Sequence, residues 1–107
     1  MPAYMFQVTY TREAWAAQIK NPSNRLGAVA EMIRDSGGKV VASYYAFGPK
    51  DVVIIAEMPD NTATAAFAIS VAASGAVSSL ETTVLMSPEE GLAAIKAAGK
   101  SSYRPPA

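Results

Sequence analysis

Glu57 and Glu81 are the two carboxylates that fall inside strand-like stretches of the sequence. A carboxylate held in a half-buried pocket can act as a general base. A neighbouring amide, hydroxyl or phenol can hydrogen-bond the oxyanion that proton transfer creates. Tyr45 or Gln7 is the donor that strand patterning offers for that second role, and Gln7, Thr9, Tyr45, Glu57 and Glu81 make up the candidate pocket. The competing structural reading is a polar rim, or ion pairs to Lys or Arg at a subunit contact. Gly48 and Asp51 form a turn motif: Asp51 could anchor a ligand at the sheet edge, or accept from nearby backbone amides and set the turn, and the second reading is preferred.

Composition excludes much other chemistry. The 107 residues include no cysteine and no histidine. Thiol nucleophiles, histidine bases, thiolate zinc, iron–sulfur clusters and histidine-ligated haem all lose their donors. No metal site and no cofactor is therefore expected, and only an oxygen-ligated ion stays open. Ser70, Ser74, Ser78 and Ser79 have no histidine with which to build a triad. Nine basic and nine acidic residues give zero formal net charge, with no basic stripe for nucleic acid and no polybasic segment for anionic lipid. No apolar run approaches the ~20 residues of a membrane span, and no charged segment precedes an apolar one in the manner of a secretion signal. A cytoplasmic location is the resulting expectation. Half of the residues are apolar and only 17% are charged, a balance that favours further burial by oligomerisation.

The elements that must position the candidates follow from periodicity and punctuation. Tyr4 to Tyr10 is rich in aromatic and β-branched residues and suits a first strand. Thr11 suits an N-cap, and Trp15 and Ile19 share one face of the helix after it. Asn21-Pro22-Ser23 breaks that helix, and Leu26, Val29, Ala30 and Ile33 resume helical spacing until Gly37-Gly38. Lys39 to Phe47 and Asp51 to Met58 predict a hairpin around Gly48-Pro49-Lys50. Pro59-Asp60 opens a helix over about Thr62 to Ser74, Val77 to Met86 is a fourth strand, and Ser87-Pro88-Glu89-Glu90 starts a last helix. The order β-α-β-β-α-β plus one helix predicts an α+β, ferredoxin-like antiparallel sheet with helices on one face. Residues 1–100 are expected to be one domain and 101–107 a loose tail.

Val52 to Ala56 is apolar on both parities, which a strand with one face in water would not be. A second copy of the chain, sheet against sheet, is the simplest cover for the face that lacks helices. Parity assigns Met5, Gln7 and Thr9, Val53, Ile55 and Glu57, and Glu81 and Thr83 to that open face. For the second strand, either Ser43 and Tyr45 or Ala42 and Tyr44 belong there. Gln7, Thr9, Glu57 and Glu81 are expected to gather at one polar end, joined by Tyr45, beside an apolar middle.

The path from the first strand to the last helix resembles the GYD-domain family of small bacterial proteins. Lys20-Asn21-Pro22-Ser23-Asn24-Arg25-Leu26 is similar to that family's helix break and Arg-Leu pair, and Gly37-Gly38-Lys39 to its helix-to-strand turn. Gly48-Pro49-Lys50-Asp51-Val52-Val53 stands where the family has glycine, any residue, tyrosine, aspartate and an apolar strand. Glu57-Met58-Pro59-Asp60 matches its strand exit, and Glu81-Thr82 lies where a glutamate is usual. Lys50 departs from the pattern, replacing the tyrosine. The resemblance implies a dimeric α–β barrel of ferredoxin-like subunits and no particular activity.

Three functions are compatible with these readings. The first is a homo-oligomeric binding or accessory module that holds a small metabolite against the open face. The second is a cofactor-independent enzyme of proton-transfer or monooxygenase type with a glutamate base. The third is a purely structural protein-interaction module.

Overall fold

A computed structural model describes residues 1–106. The strands are β1 (Ala3–Tyr10), β2 (Lys39–Tyr45), β3 (Val52–Glu57) and β4 (Val77–Leu85). The helices are α1 (Arg12–Lys20), α2 (Arg25–Asp35), α3 (Asn61–Ala73) and α4 (Pro88–Ala98). The strands form one antiparallel sheet in the order β2-β3-β1-β4, the ferredoxin-like arrangement.

Each helix starts on a side chain that satisfies a free backbone donor. Thr11 accepts from the Ala14 N–H at 3.1 Å, Asn24 from Gly27 at 3.0 Å and Asp60 from Ala63 at 2.8 Å. The break at Asn21-Pro22-Ser23 is therefore longer than its proline: α2 begins at Arg25, with Asn24 as its cap. Ser87 and Glu90 form a reciprocal capping box at the start of α4. Gly37 ends the turn after α2 at φ +88°, a conformation that disfavours any side chain.

The core lies on one side of the sheet. Tyr4, Phe6 and Val8 of β1 and Val52, Ile54 and Ala56 of β3 are buried there with Ile33, Met58 and Phe67. Phe6 and Phe67 meet edge to face at 5.0 Å, joining β1 to α3. The Tyr4 hydroxyl donates to Asn61 Oδ1 at 2.6 Å, so a buried phenol is satisfied at the start of α3.

α4 behaves differently. None of its residues is buried, and Ile95 is 71% exposed. The radius of gyration is 17.0 Å, against about 13 Å for a compact chain of ~100 residues. A helix of this length is marginal in water without packing.

Candidate functional site

Antiparallel pairing puts cross-strand partners on the same face, so the register lays out the open face row by row. One row is Ala42–Ile55–Met5–Thr83 and the next is Tyr44–Val53–Gln7–Glu81. Beyond them Thr9 pairs with Ser79. At the opposite end the row is Lys39–Glu57–Ala3–Leu85. Met5, Gln7, Val53 and Ile55 are only partly buried, whereas the alternate residues of β1 and β3 are buried. The apolar middle expected from parity is present.

Two of the expected placements are corrected by this register. Tyr45 pairs with Val52, a buried core residue, and so lies on the helix side of the sheet. It lines a shallow recess with Trp15, Gln18, Pro22 and Phe47. The cause is a register shift between Val40 and Ala42, an extra residue that reverses the parity of everything after it. Of the two alternatives for β2, Ala42 and Tyr44 are the pair on the open face, and Tyr44 is 67% exposed. Glu57 is on the expected face but at the wrong end. It pairs with Ala3, six residues from Thr9 along β1, roughly 20 Å away.

The polar end therefore holds Gln7, Thr9 and Glu81, with Ser79 and Lys50 added. The Gly48-Pro49-Lys50 turn folds over this end, and Thr9 Oγ1 donates to the Pro49 carbonyl at 3.0 Å. Lys50 Nζ lies 3.4 Å from Glu81 Oε1 and donates to Ser79 Oγ at 3.4 Å. A lysine where the family carries a tyrosine thus ties the β2–β3 turn to β4 by charge. Glu81 is exposed and paired with Lys50, and Glu57 stands at the far end. Within one chain the two glutamates cannot cooperate on one substrate.

Asp51 settles into structure. Its Oδ2 accepts from the Tyr10 backbone N–H at 2.9 Å and from the Trp15 indole N–H at 3.3 Å. The Tyr10 ring meets Trp15 edge to face at 5.1 Å. Burial, then Tyr45 and Asp51, push the Tyr10 hydroxyl above its ordinary value, against the opposing pull of Arg25. Gly48 has open space around it and serves the turn. Among the described residues no group of three or more acidic side chains could hold a metal ion, and no helix is long and apolar enough to cross a membrane.

Comparison with known proteins agrees with the fold. The GYD-domain profile matches residues 4–95. A Thermus thermophilus protein named glutamine synthetase and cystathionine beta-lyase binding protein is 31% identical over 80 residues, covering 75% of this chain and 84% of that protein. Among solved structures, TTHA0845 from Thermus thermophilus superposes with TM-score 0.53 at 17% identity, covering 81% of this chain and 95% of that one. The transcriptional regulator NMB0573 of Neisseria meningitidis, solved with L-Met, superposes with TM-score 0.50 at 15% identity. That match covers 81% of this chain, which spans about half (51%) of the regulator. At these identities the two structures bear on the fold alone.

Proposed function

This chain belongs to the GYD-domain family, and we propose that it works as a binding module that assembles with itself through the open face of its sheet and contacts a protein partner as that assembly. The observation that supports this most is the apolar, half-exposed middle of the face, Ala42–Ile55–Met5 and Tyr44–Val53, on the side of the sheet opposite the core. A patch of this kind on a folded protein marks a contact surface.

The dimensions of the face bear on how it is covered. Four strands ~4.8 Å apart and roughly 25 Å long span on the order of 500 Å² in plan. A stable interface takes about 800 Å² per partner. α4, which carries exposed Leu92 and Ile95, is the element that would supply the remainder. The Lys50–Glu81 pair sits at the polar end of the face, where it sets orientation more than affinity.

An enzyme subunit is the proposed class of outside partner, because the Thermus relative is named for binding two enzymes. Catalysis by the chain itself is the weaker reading, since its strand glutamates are separated by most of the sheet. The test is the native mass of the wild type beside Val53→Asp, followed by co-elution of each with purified glutamine synthetase. A wild-type multimer that co-elutes, and a variant that does neither, would support both halves of the proposal.

A further inference from the structure

The other side of the sheet holds a feature that neither the family match nor the open face accounts for. α2 lies along β2 and α3 along β4. The central strands β1 and β3 therefore run beneath the seam between the two helices. In that seam is an apolar cleft of about 120 Å³, open to solvent along a border that includes the exposed residues Arg25, Ser70 and Ser74. Its floor is Phe6, Val8 and Ile54, and its walls include Leu26 and Val29 from α2 and Phe67 from α3. For scale, an enclosed apolar cavity of about 150 Å³ takes a benzene ring.

The polar lining is specific in kind. Arg25 and Tyr10 line the same cleft, and Arg25 is exposed, so the cleft has a cationic mouth. Arg25 is close enough to the Tyr10 hydroxyl for its charge to oppose the rise in that group's pKa. Among the described residues Arg25 pairs with no carboxylate. Ser70 of α3 and Ser74 after it also border the cleft at exposed positions, where a larger apolar side chain would narrow its opening. An apolar slot with one unpaired guanidinium and one phenol at its mouth matches an amphipathic anion. Guanidinium binds a carboxylate in a fork, and the hydroxyl supplies a further donor.

We propose that this cleft binds a small aliphatic carboxylate, with about five apolar carbons in the slot and the carboxylate held by Arg25 and Tyr10. The site is on the opposite side of the sheet from the proposed interface, so either can fail without the other.

The experiment is a titration with 4-methylpentanoate, read from the methyl carbon–proton resonances of Leu26, Val29, Val71 and Leu80. Saturable shifts at these methyls are expected at millimolar concentration or below, while Val53 and Ile55 on the open face stay unmoved. The uncharged 4-methylpentan-1-ol should bind at least tenfold more weakly. Arg25→Gln, a change at an exposed position, should erase that difference between acid and alcohol. Ser70→Leu should weaken binding of both. The proposal is overturned by the absence of saturable shifts up to tens of millimolar. It is equally overturned by shifts confined to the open face, or by an Arg25→Gln protein that still prefers the acid tenfold.

Discussion

Asp51 and Trp15 are joined by a hydrogen bond of 3.3 Å from the indole N–H to Oδ2, across thirty-six positions of sequence. The same oxygen accepts the Tyr10 backbone N–H at 2.9 Å. One carboxylate oxygen thus ties the start of β3 to the end of β1 and to α1. Asp51→Ala removes the acceptor from two part-buried donors, and a loss of about 1–3 kcal/mol is expected. The urea midpoint should fall at constant m-value, and emission from Trp15, the single tryptophan, should shift to the red. Asp51→Asn keeps one acceptor oxygen and should recover part of the loss.

Gly38 is a steric requirement. A methyl group there would lie 2.6 Å from the Glu57 carbonyl oxygen and 2.7 Å from the Met58 sulfur. The first of these is backbone and cannot give way cheaply. Gly38→Ala is expected to cost about 2 kcal/mol or more by overpacking. Gly48→Ala, with nothing within 4 Å of the new methyl, should stay within roughly 0.5 kcal/mol of wild type. Thermal melts of the two variants side by side check the contrast.

Most of the elements were legible because their signals are local. Caps at Thr11, Asp60 and Ser87, the stop at Gly37, and the alternation in β1 each depend on a few neighbouring residues. The face assignments for Gln7, Val53, Ile55 and Glu81 follow from the two-residue period. The misplacement of Tyr45 came from a bulge after Val40, which depends on pairing with β3 and leaves no mark in the sequence of β2 itself. The misplacement of Glu57 has a different cause. Parity gives a face but not a position along it, and an antiparallel neighbour brings the end of β3 to the start of β1. Lys50 reaching Ser79 and Glu81, and the seam between α2 and α3, depend on tertiary packing and could not be read from local pattern.

The Lys50–Glu81 pair should matter little to the stability of an isolated chain. Glu81 is largely exposed, and surface pairs contribute ~0–1 kcal/mol. A double-mutant cycle with Lys50→Met and Glu81→Gln, made in the Val53→Asp background to exclude association, should give a coupling below about 0.5 kcal/mol. A larger value would mean that the turn depends on this pair.

Stability at high pH should carry the mark of Tyr10, whose hydroxyl is pushed above 10.0 mainly by burial. The folded chain then holds this proton at pH values where the unfolded chain has released it. Its contribution is complete below pH 10.0 and declines as pH rises through the folded value. Urea midpoints between about pH 8 and 11 should therefore fall more steeply above about pH 10 for the wild type than for Tyr10→Phe. Parallel curves would show that Tyr10 is not the group responsible.

The central claim, that the open face is covered by a second copy, is tested most directly by light scattering on the eluting protein at several loading concentrations. The wild type is expected at a whole multiple of its 11.2 kDa chain mass. Val53→Asp, which puts a carboxylate in the apolar middle of the face, is expected at one chain mass with an unchanged far-ultraviolet circular dichroism spectrum. A wild type that elutes at a single chain mass at every concentration, or a Val53→Asp protein that keeps the wild-type mass, would contradict the account.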